Sequence, residues 1–289
     1  MTERTVVCWN GSPAADAALS WGSAREALHG GTVTVIDVVD AGTYLGDDDA
    51  FDRAFEAQEV ELEGAIRRVR TTWPNVDVRS AVVKGDPVEL LFAETGPNVL
   101  VIVGTKRRTA PRARYGWSFG ARLAAGASGP VAIVPQSVPD EPPRTGIVVG
   151  VDGTPVGDRA LDFAAREASL RGEQLTIVHA WQEPLAWYPT AKPDDDFLEA
   201  MRRARRELLD DRVQSISAHY ASLTVESMLV HGEPVIALRD AARSASALVV
   251  GSRRLGDWKR AWLGSVSHGM ILELVSPTIV VGPEEDHDD

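Results

Sequence analysis

The sequence is short of the groups that most chemistries need. It holds one cysteine, Cys8, in 289 residues, which excludes an intramolecular disulfide and fits a reducing compartment. Cys8 stands inside the apolar run Val6-Val7-Cys8-Trp9, so a buried structural thiol is expected rather than a reactive one. No apolar run approaches bilayer-spanning length and no charged-then-apolar leader opens the chain, so a cytoplasmic protein is expected. Neither Gly-x-Gly-x-x-Gly after a strand nor Gly-Lys-Ser/Thr occurs, which weighs against a dehydrogenase and a P-loop NTPase. The six histidines (His29, His179, His219, His231, His268 and His287) lack metal-ligand spacing with cysteines or carboxylates and read as surface or local hydrogen-bonding residues. No base stands near Ser265 to activate it, which argues against a hydrolase triad. Net positive charge is lacking too: the balance of −12 argues against general binding to nucleic acid or an anionic membrane.

What is present is an ordinary globular composition, 44% hydrophobic and 25% charged, over a length that suits one large domain or two of common size. An internal repeat decides between them. Asn10-Gly11-Ser12-Pro13 matches Asp152-Gly153-Thr154-Pro155 at an offset of 142, which also pairs Leu19 with Leu161 and Thr34 with Thr176. Further on, Val83-Lys84-Gly85-Asp86-Pro87 matches Val230-His231-Gly232-Glu233-Pro234 at an offset of 147, which pairs Val103-Gly104 with Val250-Gly251 and Pro130 with Pro277. The second copy therefore carries five more residues between its second and third strands. Two homologous halves are expected, 1–138 and 146–283, joined by the proline-rich stretch 136–145 and followed by an acidic tail, 284–289.

Each half alternates strand and helix patterns. In the first, strands are expected at 5–9, 32–38, 77–83, 99–103 and 131–134, with helices from Pro13 to about Leu28 and at 51–72, 87–94 and 118–125. The second repeats them with strands near 146–151, 174–180, 224–230, 247–250 and 278–281. The acid run Asp194–Asp196 is expected to cap a long helix reaching Leu209. Trp181, Trp187 and Tyr188, just before that helix, form a mobile flap or pack locally. Strands separated by helices imply an α/β fold with a doubly wound parallel sheet covered on both faces.

The stretch with the most chemistry runs from Leu248-Val249-Val250-Gly251 through a basic loop with Arg253, Arg254, Lys259 and Arg260 to Leu263-Gly264-Ser265-Val266-Ser267. It reads as strand, loop and helix start. A helix start offers unpaired N–H groups and the positive end of the macrodipole. Gly264 leaves room for a phosphate, and Ser265 and Ser267 add hydroxyls. His268 falls on a different face from Ser267 and reads as structural. Ligands of open α/β sheets bind beyond the carboxyl ends of strands where the strand order reverses. Asp152 ends the first strand of the second half, so it faces the Gly251 loop if the first and fourth strands are neighbours. There Asp152 either accepts hydrogen bonds from a base or sugar and helps hold Mg²⁺, or makes the turn before Gly153 and caps the next helix; the two roles are compatible.

On these residues the chain resembles a tandem universal stress protein over almost its whole length. The family's ATP pattern is Gly, two residues, Gly, nine residues, then Gly with Ser or Thr, plus an aspartate after the first strand. Here Gly251, Arg254, Gly264-Ser265 and Asp152 take those places, and the His231–Pro234 turn and closing strand also resemble the family. The resemblance implies sheets of order 3-2-1-4-5, ATP as ligand, with Mg²⁺, and Asp152, Gly153, Val230, Gly251, Arg254, Gly264, Ser265, Val266 and Ser267 as nucleotide-binding residues. Arg254 departs from the pattern's second glycine, and either crowds the phosphates or pairs with them. The first half departs further: Gly104 is kept, but Arg107, Trp117-Ser118 and Asn10 replace the other elements, with Gly116 adjacent. Lys106, Arg107, Arg108, Arg112 and Arg114 make that loop basic. A degenerate first half and a nucleotide site in the second are expected. The function implied is a stress-response regulator that binds ATP and an unidentified protein partner, forming a pseudo-dimer within one chain or a homodimer through the closing strands. The alternative is a nucleotide-free interaction module. No catalytic base is apparent, so at most slow ATP hydrolysis is expected.

Overall fold

The computed structural model describes residues 4–44, 46–106, 118–137, 141–183, 195–253 and 263–283. Along the first half run β1 (Arg4–Trp9), α1 (Pro13–His29), β2 (Thr32–Asp40), a 3-10 turn (Ala41–Tyr44), α2 (Asp48–Thr72), β3 (Asp77–Gly85), α3 (Pro87–Ala93), β4 (Val99–Thr105), α4 (Phe119–Gly126) and β5 (Val131–Pro135). The second half continues with β6 (Ile147–Gly150), α5 (Pro155–Arg171), β7 (Leu175–Trp181), α6 (Asp195–His219), β8 (Val225–His231), α7 (Pro234–Ala241), β9 (Ala247–Gly251), α8 (Ser265–Leu272) and β10 (Thr278–Val281). The described residues form two compact units, one holding β1–β5, α1–α4 and β10, the other β6–β9 and α5–α8.

Helix ends follow the chemistry of their caps. Ser12 caps α1 by accepting from the Ala15 N–H at 3.2 Å, Pro13 opens the helix, and Gly30 closes it at φ 69°. Thr154, Pro155 and Gly172 (φ 62°) do the same for α5. These pairs place an oxygen on an orphan N–H and a residue without Cβ in the left-handed region. Helix α2 starts three residues before the expected 51, because Asp47 accepts from the Ala50 N–H at 2.8 Å and Asp48 and Asp49 fill the first turn. Ser118 is the cap of α4 rather than its first residue, accepting from the Ala121 N–H at 3.2 Å. Helix α6 runs ten residues past the expected Leu209, since its buried positions Leu209 and Ile216 continue one apolar stripe. Both α2 and α6 have 25 residues, so the five additional residues of the second copy fall between β7 and α6. Trp187, Tyr188 and Asp194 lie outside the described residues, as do Pro139 and the tail 284–289.

In the first unit the strand order is β3-β2-β1-β4-β5, all parallel, with β10 antiparallel on the edge of β5. In the second it is β8-β7-β6-β9, also parallel. The first unit has the expected 3-2-1-4-5 order of a doubly wound α/β sheet and the second its first four places; β10, expected as the fifth strand of the second half, pairs antiparallel with β5 in the first unit. Helices on both faces exclude water from the central strands, so Val6, Val7, Val33, Leu100, Val101 and Ile102 in the first unit and Ile147, Val149, Leu175, Ile177 and Leu248 in the second are fully buried. Each such side chain contributes roughly 1.5–3 kcal/mol relative to exposure. Cys8 is half-buried in β1 rather than fully enclosed; burial pushes its thiol above the usual range, which suppresses the thiolate.

Strand and helix meet most closely at two glycines. A Cβ on Gly104 of β4 would stand 2.0 Å from the Ala14 carbonyl oxygen in the first turn of α1, and one on Gly251 of β9 would stand 2.7 Å from the Val156 carbonyl oxygen in the first turn of α5. Backbone atoms cannot swing aside as side-chain tips do. Gly104→Ala is expected to destabilise the first unit by roughly 2–3 kcal/mol, the upper part of the range for overpacking, and Gly251→Ala the second by less. Urea unfolding of both variants checks this, and a Gly104→Ala midpoint equal to the parent's would refute it.

Candidate functional site

In the second unit β6 pairs with β7 on one side and β9 on the other, so the chain's direction of travel across the sheet reverses between β6 and β9. Loops leaving the two strands must part there, which opens a crevice beyond their carboxyl ends. The crevice is found at that place, with a volume of about 100 Å³. Gly150, Val151, Val178, Ala180, Val250 and Gly251 line it from the strand ends, Val156 and Gly157 from α5, Pro234 and Leu238 from α7, and Val266 from α8, with Asp152 at the rim. Whole ligand pockets span roughly 300–1,000 Å³, so the crevice formed by the described residues is smaller than a whole ligand pocket.

Asp152 makes the turn that starts α5. Its Oδ1 accepts from the Thr154 N–H at 3.0 Å and the Thr154 hydroxyl at 2.5 Å, and Thr154 Oγ1 in turn accepts from the Gly157 N–H at 3.3 Å. Gly153 takes φ +79° at the corner, where a Cβ would also meet Leu208 Cδ1 at 2.7 Å. The first unit builds the same turn without the charge: Asn10 Oδ1 accepts from the Ser12 N–H at 3.3 Å and the Ser12 hydroxyl at 2.7 Å. A single oxygen therefore makes the turn in both units. The carboxylate of Asp152 is a feature the turn does not need, and it is exposed at the crevice mouth.

Of the residues singled out in the sequence, Asp152, Gly251 and Val266 share this crevice. Ser265 opens α8 and is exposed, Gly264 precedes it half-buried, and Ser267 is buried at 1% exposure, away from the crevice lining. His268 is half-buried beside it. Val230 lies outside the lining, but it stands in register with Ala180, which is inside. Gly251 also has a packing role against α5, described above, that motif reading does not reveal. Arg254, Lys259, Arg260, Arg107 and Trp117 lie outside the described residues. The apolar walls Val151, Val178, Ala180 and Leu238 were missed as site residues; their only signal was position at or just past strand ends, or one turn into a helix after the His231–Pro234 turn. His231 itself is paired, its Nε2 3.0 Å from Glu183 Oε1 and its ring 4.5 Å from that of Trp181; a hydrogen bond at its own backbone and that from His231 hold the Glu183 carboxyl below its usual range.

The first unit differs at the equivalent place. Trp9 takes the position of Val151 and is 4% exposed, its indole N–H donating to Asp16 Oδ1 at 2.9 Å. That unit does have a larger concavity, about 410 Å³, lined by Glu89, Phe92, Thr95, Gly126 and Ser128. Thr95 and Ser128 precede β4 and β5, so it lies at the amino ends of the strands, away from the switch point where ligands of such sheets bind. Among the described residues no group of three or more His, Cys, Asp and Glu side chains is placed to hold a metal, and no helix is long and apolar enough to cross a membrane.

Two doubly wound α/β units in tandem, each with parallel strands in the 3-2-1-4 order, define the class. The sequence profile of the Universal stress protein family matches residues 1–135 and again 144–282, and the chain belongs to that family. A universal stress protein of Mycobacterium tuberculosis is 29% identical to it, covering 95% of each chain, and one of Mycolicibacterium smegmatis is 26% identical, covering 94% of each. Among solved structures, a universal stress protein from Archaeoglobus fulgidus superposes with a TM-score of 0.70 at 18% identity, covering 96% of this chain and 98% of that one.

The two turns separate stability from charge at Asp152. Asp152→Asn is expected to melt within about 0.5 kcal/mol of the parent, as a surface change that keeps the acceptor, whereas Asp152→Ala loses about 1 kcal/mol, the usual value of such a capping contact. Thermal unfolding at neutral pH reads both; equal losses in the two variants would show that the charge, not the acceptor, makes the turn.

Proposed function

We propose that the second unit binds ATP and that occupancy of its crevice regulates the chain's association with a protein partner in the stress response. The observation that carries this reading is the convergence of Asp152, Gly251 and Val266 on one crevice at the strand-order reversal. Its floor of Val151, Val178 and Ala180 suits a purine face, since such pockets are mostly apolar with few polar groups. Asp152 at the rim is an acceptor for ribose hydroxyls. The first turn of α8, with the exposed Ser265 hydroxyl, presents N–H donors to phosphate oxygens, and Gly264 before it leaves the backbone uncovered. Ser267, two residues on, is buried. Val230 backs Ala180, and Gly153 fixes the Asp152 turn. Arg254 would pair with phosphate oxygens through its guanidinium. Bound ATP brings its own phosphate ligands for Mg²⁺, which needs one or two protein carboxylates; Asp152 is the carboxylate in reach of the crevice. These residues bind and orient; none is placed as a catalytic base. The first unit is a nucleotide-free partner in this scheme, because Trp9 takes the sequence position of Val151 and Asn10 that of Asp152.

Equilibrium dialysis with labelled ATP and Mg²⁺ is expected to find one nucleotide per chain. Gly264→Trp and Ala180→Trp should abolish binding, and Asp152→Asn should weaken it by roughly 10- to 100-fold, the value of a hydrogen bond to a charged group. No binding to the parent at millimolar ATP would sink the proposal, as would binding that survives both tryptophans.

A further inference from the structure

The second strand of each unit carries one ionisable side chain at the same buried position. In the first unit it is Asp37, 1% exposed, in register with Trp9 of β1 and Val82 of β3. In the second it is His179, 3% exposed, with Nδ1 2.8 Å from the Val151 carbonyl oxygen and Nε2 without a hydrogen-bond partner among the described residues. Asp37 is the more exposed to penalty, because its Oδ2 also has no partner among the described residues and a carboxylate cannot shed its charge without taking a proton.

Among the described residues its surroundings relieve it only in part, through a hydrogen bond from the Val38 backbone. Glu61 on α2 presses on Asp37 with like charge. Arg68 on the same helix turns to Asp16 of α1, at 3.5 Å, and that carboxylate also takes the Trp9 indole N–H. On β3 the cation Lys84 sits 4.2 Å over the centre of the Phe51 ring, and β1 contributes the uncharged Trp9 at this level.

We propose that Asp37 is a proton switch of the first unit: protonated, it lets β2 and the helix over it pack tightly, and ionised, it loosens them. The inference concerns the first unit alone and stands independently of nucleotide binding in the second. Burial raises the carboxyl and the Glu61 charge adds to it, against a hydrogen bond from the Val38 backbone, leaving a pKa of about 6. A carboxyl whose folded pKa lies above its unfolded value favours the folded state only while protonated. Its contribution is therefore complete below the unfolded value of 3.8, fades as pH rises, and is lost above about 6. Linkage gives close to tenfold in the folding equilibrium per pH unit in that window, roughly a hundredfold in all.

Hydrogen-exchange mass spectrometry on the full chain, corrected for intrinsic rates, tests the switch on peptides from β2 and α2. Between pH 7.5 and pH 5.0 their protection should rise about tenfold relative to Asp37→Asn, a difference that cancels every other titrating group. Glu61→Gln should move the midpoint of that rise to lower pH. A carbon-detected titration of the Asp37 carboxyl in the parent protein serves even where the variant fails to fold. A titration midpoint below 4.5, or parallel protection in parent and Asp37→Asn, would overturn the proposal.

Discussion

Each unit depends on one close approach, a strand-end glycine lying against the first turn of the helix that follows the neighbouring strand. With a Cβ on Gly104 or Gly251 the end of β4 or β9 would collide with the backbone of α1 or α5. Because the glycine is there, the helix can start immediately beyond the sheet, and its cap residues, Ser12 or Thr154, fall beside the strand-order reversal. The turn that feeds the cap is in turn pinned by one oxygen, from Asn10 or Asp152. Packing, capping and the position of the crevice are thus consequences of the same contact, and they recur in both halves because the contact does.

The two units diverge where the shared frame leaves side chains free to change. At the crevice floor a valine in one unit answers to a tryptophan in the other. At the turn a carboxylate answers to an amide, with the hydrogen-bond geometry retained. Under the second strand a histidine answers to an aspartate. The strand pairing is alike around these exchanges: Asp37 lies in register between Trp9 and Val82, and His179 takes its place beside Leu229 in the second unit. The exchanges change what the end of the sheet can hold, by volume at Trp9 and by charge at Asp152 and Asp37.

Much of the fold was legible because it is written in periodicity and punctuation. Proline after Ser12 and Thr154, glycine at 30 and 172, and β-branched runs placed nearly every element, the repeat gave the two halves, and the strand order came from the family resemblance. The misjudged ends have local causes: Asp47 and Ser118 are caps whose reach depends on geometry, and α6 extends because Ile216 continues a stripe that the polar surroundings obscure. The candidate site was legible in its motif residues, Asp152, Gly251 and Val266, and illegible in its walls. Val178, Ala180 and Leu238 are ordinary apolar residues that become lining only when parallel pairing brings three strands and three helices together. Ser267, a donor by pattern, is buried because α8 turns that position toward the core. The penalty on Asp37 was hidden too, since no spacing rule reports a missing partner.

The pairing of β10 with β5 bears on how such a chain assembles. An open β5 would present unpaired N–H and C=O groups along a fully buried-type strand, Val131-Ala132-Ile133-Val134, with no charge to deter another chain. Antiparallel register of Thr278 with Ile133 and Val280 with Val131 satisfies that edge from within the same polypeptide. That edge of β5 is therefore closed to strand addition by a second chain. The same unit sets the Trp9 indole N–H on Asp16 and buries the Asp37 carboxyl in register with Trp9, where the second unit has the exposed Asp152 at its crevice.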